Sequence, residues 1–372
     1  MRFFNGDIVP LNESNKEDRL DNLLRLARHR RLDAVVLFGQ KNILSLTGID
    51  CDNGALVIAD GRIRYATDFR YVPAVRRLAP GFPVTDCHRD LNGTVLRFLR
   101  DVRPLRRIGF EGDVRASRYL DLAKRLPRAK FVDIGSEVLD LRAVKTPEEI
   151  ARLTATVALN DRIWSMAQKD FRSGMTEKDI QRIIRAYMNA LGDGESFETI
   201  VCVGANAAEC HHVSDDTVWR KGEPLLVDMG VKLDGVCSDM TRCIPAGGKK
   251  TKGKKGQTSE YDKIYRLVRK ANLAAIAAAK PGVTGRQLDA VARRIIRKAG
   301  YGKAFGHALG HGVGYEIHES PVASPRSVTV LRPGMTFTIE PGIYLPGKLG
   351  VRIEDLVVIT ETGCEVLSRS AK

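Results

Sequence analysis

The sequence predicts two domains, an α/β domain over residues 1–143 followed by an α+β domain over 144–372. Three observations lead there. The chain of 372 residues is longer than one hydrophobic core usually serves. In its first part, short apolar runs alternate with stretches of helical period. In its second part, a strong helix start at Thr146 opens a region where acidic residues interrupt strand-like apolar sequence, a costly place for an unpaired carboxylate.

The elements follow in order. Apolar positions recur at helical spacing over 20–31, and Asp33-Ala34-Val35-Val36-Leu37-Phe38 then reads as a buried strand. Further strands are predicted at 55–59, 63–66 and 107–110, with helices near 95–99 and 119–126 between them. This domain holds only His29 and His88 of the seven histidines. At the boundary, Thr146 can cap a helix, Pro147 suits its first position, and Glu148 and Glu149 favour its dipole. That helix runs to about Lys169, and a second starts after Gly174. Two more cover 259–280 and 284–298, alternating with strand pairs, and no internal repeat is visible.

Composition narrows the function classes. Hydrophobic residues at 43% and charged residues at 28% describe an ordinary soluble globular chain. The most apolar run, 273–279, is too short to span a bilayer. The opening Met-Arg-Phe-Phe-Asn-Gly-Asp lacks the apolar core of a secretory signal. Seven cysteines, an odd number with no CxxC pair, read as reduced core residues, so the expected compartment is the cytoplasm. Cys237 and Cys243 bracket Asp239 and could be taken for thiolate ligands, but hard oxygen ligands dominate their neighbourhood. The net charge of +15 includes five lysines in segment 247–257, whose four glycines mark a solvated loop. The remaining basic residues are scattered, and no zinc-finger or RNA-recognition signature accompanies them, so a basic surface is expected rather than a nucleic-acid partner.

The chemistry gathers in the second domain, where five of the seven histidines fall between 211 and 318. Leu225-Leu226-Val227-Asp228-Met229-Gly230 and Cys237-Ser238-Asp239-Met240-Thr241-Arg242 flank Asp234-Gly235, a strong hairpin turn signal. With those two residues in the turn, Asp239 stands opposite Gly230. Asp228 lies two residues along and therefore on the same face. Diagonal neighbours on one face have Cα atoms roughly 7–8 Å apart, close enough for both carboxylates to reach a shared cation cluster. The competing reading is two surface aspartates on an exposed hairpin. Glu340 ends the run Phe337-Thr338-Ile339, and Val351-Arg352-Ile353-Glu354-Asp355 puts Arg352 and Glu354 on one strand face by period two. Strand glutamates alone would ordinarily face solvent. Between them, His307, His311 and His318 fall within twelve positions beside four glycines that allow close backbone approach. Any one of these histidines could be a satisfied core residue; three together favour a site. Asp228, Asp239, Glu340 and Glu354 cannot all stay ionised side by side without compensation, and two divalent cations would supply it. Carboxylate-rich ligation favours Mn²⁺, and one imidazole extends the range to Co²⁺, Fe²⁺ or Zn²⁺.

These motifs give the sequence its resemblance to the pita-bread metallopeptidases, the family of aminopeptidase P, prolidase and methionine aminopeptidase. The ligand types stand in the family's order: Asp228 in VDMG, Asp239 in SDMTR, His311 in HGVG, Glu340 in TIEPGIY and Glu354 in VRIED. The likeness covers roughly 145–368 closely. It reaches the first domain more loosely through LDAVVLF, LSLTG and TDFRY, which are similar to a creatinase-like domain. The resemblance implies that Asp228 binds one metal, His311 and Glu340 the other, and that Asp239 and Glu354 bridge. Glu340 would also be general acid/base for a hydroxide bridging the two ions. His211 would be the substrate-side histidine and His318 the one that steadies the tetrahedral intermediate. His307, Arg352 and Tyr344 would line the proline pocket or hold the substrate terminus. His212 has no matched role and reads as structural or exposed. Cys210 stands where the family often has proline, and segment 247–257 looks like an insertion. The separate first domain and Arg352 favour the proline-specific members, and the full ligand set argues against the metal-free creatinase-like ones. The implied protein is a cytoplasmic, homodimeric Xaa-Pro aminopeptidase or dipeptidase acting on peptides with proline second. The competing class is a catalytically silent relative that binds a protein or nucleic-acid partner.

Overall fold

The computed structural model describes residues 3–4, 7–8, 14–244 and 259–372, with side chains from residue 19 onward. The lysine-rich segment 247–257, expected as a solvated loop, lies outside the described residues. The chain divides into two compact units, Met1–Arg142 and Ala143–Lys372.

The first unit is built on a six-stranded mixed sheet. Its order across the sheet is Val84–Asp86, Arg62–Thr67, Gly54–Ala59, Ala34–Leu37, Arg107–Phe110 and Lys130–Asp133. All four residues of Ala34–Leu37 are buried, and their alternation explains why. Val35 and Leu37 pack with Leu56, Ile58 and Tyr65 in one core, while Ala34 and Val36 pack with Ala55, Val57 and Ala59 in another. A strand apolar at every position serves two cores at once. The expected helices form at Ser14–His29, Leu91–Leu99 and Ala116–Arg125. Reading the sequence missed helices Gln40–Thr47 and Val72–Leu78 and the two edge strands, whose three or four residues carry no long apolar run.

The second unit has two helix pairs, each laid on antiparallel strands. Thr146 caps Pro147–Ala167 through a complete capping box with Glu149. This helix and Glu177–Leu191 cover the sheet Met240–Ile244, Leu225–Met229, Ile200–Val203. Helices Glu260–Ala278 and Gly285–Lys298 cover the five-stranded sheet containing Gly310–Gly312, Thr336–Ile339 and Asp355–Ile359. The second helix of each pair begins alike: a left-handed glycine, Gly174 or Gly282, precedes a threonine, Thr176 or Thr284, that forms a capping box. The expectation of no internal repeat missed this correspondence, because little beyond the Gly-x-Thr turn is shared in sequence.

The predicted hairpin is present in the predicted register. Asp234 and Gly235 both take positive φ, at 49° and 73°, as a type I′ turn requires. Leu233 pairs with Val236, and Asp228 with Thr241, so Gly230 faces Asp239. Arg352 and Glu354, expected on one strand face, do not share a strand, because the chain changes partners between them. Leu349–Arg352 pairs with Gly342–Leu345, while Asp355–Ile359 pairs with Thr336–Ile339. At the switch, the Glu354 amide donates to the Thr241 carbonyl at 3.2 Å, tying this point to the sheet that carries Asp228.

Close backbone approach at Gly310 sets the spacing of the strands that bear His311 and Glu340. A Cβ there would lie 1.8 Å from the Thr338 carbonyl oxygen. Gly310→Ala should therefore lower stability by about 1–3 kcal/mol. Gly306→Ala, where nothing lies within 4 Å, should leave the urea midpoint unchanged. Paired urea titrations measure the contrast, and equal midpoints would contradict the close-packing argument.

Candidate metal centre

Five ligand-type side chains meet at the strand ends of the second unit. Asp228 is the fourth residue of Leu225–Met229, and Asp239 immediately precedes Met240–Ile244. His311 is central in Gly310–Gly312, Glu340 follows Thr336–Ile339, and Glu354 sits at the switch between sheets. Asp228, Asp239 and Glu354 are 9%, 5% and 1% exposed, so neither the surface-hairpin reading nor the solvent-facing reading of Glu354 holds. All five residues line one cleft of about 410 Å³.

Hydrogen bonding fixes the His311 tautomer. Its Nδ1 lies 3.2 Å from the Gly312 carbonyl, which can only accept, so Nδ1 carries the proton. The Nε2 lone pair then points at Asp239 Oδ2, 3.5 Å away, and Glu340 Oε1, 3.3 Å away. Asp239, His311 and Glu354 present ligand atoms all within 4.8 Å of one another. Asp228 Oδ1 and Asp239 Oδ1 are buried and accept no hydrogen bond. Acceptors converging without a donor fit a cation, and these residues fit a divalent one.

The electrostatics carry the same signature. Burial, then repulsion from Glu354, Asp228 and Glu340, holds the Asp239 carboxyl well above the usual carboxylate range. Glu354 is raised in the same way by burial and by Glu340 and Asp228. Burial pushes Glu340 up to about 8, with Arg352 opposing and Asp228 adding to the rise. His311 is pushed down to about 4 by burial and then by His318.

Arg352 braces one side of the cleft. Its guanidinium donates to Asp228 Oδ2 at 2.6 Å and to Thr241 Oγ1 at 2.9 Å. Thr241 in turn donates to Glu354 Oε2 at 2.7 Å. Arg352 also donates to Tyr344 Oη at 2.9 Å and to the Cys210 carbonyl at 3.3 Å. His307 Nδ1 donates to the Ala308 carbonyl at 2.7 Å, leaving Nε2 to accept from the Tyr344 hydroxyl at 2.8 Å. Burial and the Arg352 charge push His307 down to about 4, keeping it neutral for that bond.

His211, His307 and His318 line the same cleft, with His211 and His318 exposed and the His318 ring 4.3 Å from that of His311. Tyr344 reaches the site from behind, through Arg352 and His307. Sequence reasoning missed the orienting hydroxyls of Thr241 and Thr338, the latter donating to Glu340 Oε1 at 3.1 Å. Thr241 stood inside a quoted motif, yet a threonine in a strand carries no distinguishing signal. The thiolate reading fails: Cys243 Sγ faces the Arg352 carbonyl, and neither ligand-type group among the described residues contains a cysteine.

Known families and solved structures resemble this chain over most of its length. The model for metallopeptidase family M24 matches residues 151–361, and that for the creatinase/prolidase N-terminal domain matches 19–144. An uncharacterized peptidase, YqhT, of Bacillus subtilis is 33% identical over 95% of this chain and 98% of its own. An Xaa-Pro dipeptidase from Bacillus anthracis superposes with a TM-score of 0.89 at 32% identity, covering 96% of this chain and 98% of its own. An X-Pro aminopeptidase from Thermotoga maritima does so with 0.82 at 31% identity, covering 94% and 97%.

A pH dependence follows from the geometry. Carboxyls with raised folded pKa values stabilise the fold below their unfolded values and lose that contribution as pH rises through the folded ones. His307 and His311, depressed to about 4, act oppositely, but their gain is complete above about 6.5. Between about pH 6.5 and 8 the acids alone remain, so chelator-treated protein should lose thermal stability there. Added Mn²⁺ should reverse the slope, because ligands bind metal deprotonated. Melting curves with chelator and with Mn²⁺ test this; a metal-free Tm rising across the window would refute it.

Proposed function

The chain belongs to metallopeptidase family M24, and from that premise we propose that it is a dinuclear metal-dependent peptidase that cleaves an N-terminal residue from a following proline. The observation that carries the reading is the His311 lone pair aimed at two carboxylates, beside two buried carboxylate oxygens without donors. In this reading Asp228, Asp239, His311, Glu340 and Glu354 would hold the ions. Mn²⁺ suits the oxygen-rich set. Bound ions would activate water at neutral pH and polarise the scissile carbonyl.

The remaining chemistry belongs to the side chains. Glu340 takes and returns the proton, with Thr338 fixing its carboxylate. His211 and His318 stand exposed at the cleft, where they can donate to the substrate carbonyl and to the oxygen that becomes negative. Arg352 holds Asp228 in place and, through Tyr344, orients His307 at the cleft wall. Proline offers no N–H and fixes its φ, so recognition there depends on shape rather than on an amide contact. Two divalent ions and Arg352 together would exceed the four carboxylates by one positive charge, which a hydroxide formed from the activated water would balance.

Likeness to both an Xaa-Pro dipeptidase and an X-Pro aminopeptidase supports the specificity, and substrate length separates the two. The free thiols of all seven cysteines support a reducing, cytoplasmic setting, and a homodimer is the assembly the resemblance implies. Expected results are Mn²⁺-dependent hydrolysis of an Xaa-Pro dipeptide and its loss with chelator. Cleavage of a matching Xaa-Pro-Xaa tripeptide as well would mark an aminopeptidase. Asp239→Ala should lose metal and activity together, while Glu340→Ala should keep one metal yet lose turnover by about 10²–10⁴-fold. Wild-type rates in Asp239→Ala would overturn the site, and no cleavage with any metal would favour a silent binding protein.

A further inference from the structure

Among the described residues, two groups of side chains in the second unit have the spacing of metal ligands, and they differ in their donors. The second comprises Glu177, His212 and Asp215. Glu177 is fully buried at the start of Glu177–Leu191, and its carboxylate is saturated. Oε1 accepts from the Val203 amide at 2.6 Å and from Asn206 Nδ2 at 3.0 Å. Oε2 accepts from the Asp215 amide at 3.0 Å and from His212 Nε2–H at 2.8 Å. An ion here would have to displace donors that already satisfy the charge, whereas at the His311 cluster acceptors face one another. The Glu177 group is therefore a structural knot.

All four donors come from residues 203–215, the segment that presents His211. Its opposite side is also held. Arg352 donates to the Cys210 carbonyl at 3.3 Å, and Gly350 lies so close that an added Cβ would sit 1.6 Å from the Ala207 carbonyl oxygen. His211 thus stands exposed between two anchored neighbours, Cys210 tied to Arg352 and His212 tied to Glu177, with its side chain on the cleft. A surface segment of this kind would otherwise sample many conformations, and a displacement of about 1 Å at a substrate contact can cost about 10²-fold in rate.

We propose that Glu177 and His212 are positioning residues that hold His211 in its working place against the substrate. The inference rests on the peptidase reading of this cleft. His212→Ala should lower kcat/KM for an Xaa-Pro dipeptide by about 10- to 100-fold with metal content unchanged. It should also speed amide exchange over 204–215. His212→Gln, whose amide nitrogen can take the Nε2 position and donate, should restore both readouts, and His212→Asn, with its amide one carbon short, should not. In a His211→Ala background, His212→Ala should cost nothing further. Equal losses in both backgrounds, or unchanged exchange in 204–215, would overturn the proposal. A wild type that cleaves no Xaa-Pro peptide would instead remove the peptidase reading, while the exchange measurement still decides whether the clamp exists.

Discussion

The second unit depends on the mutual repulsion of four carboxylates gathered around one imidazole lone pair. Asp228 and Asp239 come from one hairpin, His311 and Glu340 from the facing sheet, and Glu354 from the point where the chain passes between sheets. Bringing them together in a desolvated cleft is unfavourable for bare charges. Arg352 is the cation in contact with them, and it engages Asp228. The fold is therefore compatible with two states of this cluster, one neutralised by protons and one by cations. A centre of this kind joins metal binding to the integrity of both sheets, because the same side chains serve each.

Adjacent residues make the principle plain. Glu354 and Asp355 are both buried, and their backbone amides are one residue apart. Asp355 accepts from Arg242 at 2.9 Å and Asn272 at 3.0 Å, and Lys372 lies 2.5 Å away. Arg242 also reaches the Glu354 carbonyl and the Ser370 carbonyl, so the chain's last residues are bound into the layer beneath the cleft. Asp355 is satisfied by fixed donors and stays structural. Glu354 accepts from one hydroxyl, that of Thr241, and burial with the charges of Glu340 and Asp228 outweighs the Arg352 charge. Counting donors, more than counting acids, separates a latch from a ligand.

Much of this was legible because its cause is local. The Asp234-Gly235 turn set a register that carried Asp228 and Asp239 to one face, and the cap at Thr146 marked a helix start directly. What escaped depends on partners distant in sequence. The break after Arg352 arises from a change of pairing strand, which period two cannot show; Arg352 and Glu354 still converge, through Thr241. His212 was left without a role because its partner Glu177 stands 35 residues earlier. The short edge strands of the first unit escaped for a related reason, since their order exists only beside a neighbour.

His307 and His311 show how far local sequence reaches and where it stops. Each donates Nδ1–H to the carbonyl of the residue that follows it, Ala308 or Gly312, so local backbone sets the same tautomer in both. Both are half-buried and both are held neutral, pushed down to about 4. Their Nε2 atoms meet opposite surroundings. That of His307 meets a hydroxyl, which donates to it and completes a relay from Arg352. That of His311 meets two carboxylates, which have nothing to donate when ionised. A neutral imidazole in the first environment is finished; in the second it needs a cation. The chemistry of this cleft therefore lies in what surrounds the His311 Nε2, Asp239 from the hairpin and Glu340 from the neighbouring strand, and Gly310 matters because it lets that strand come close.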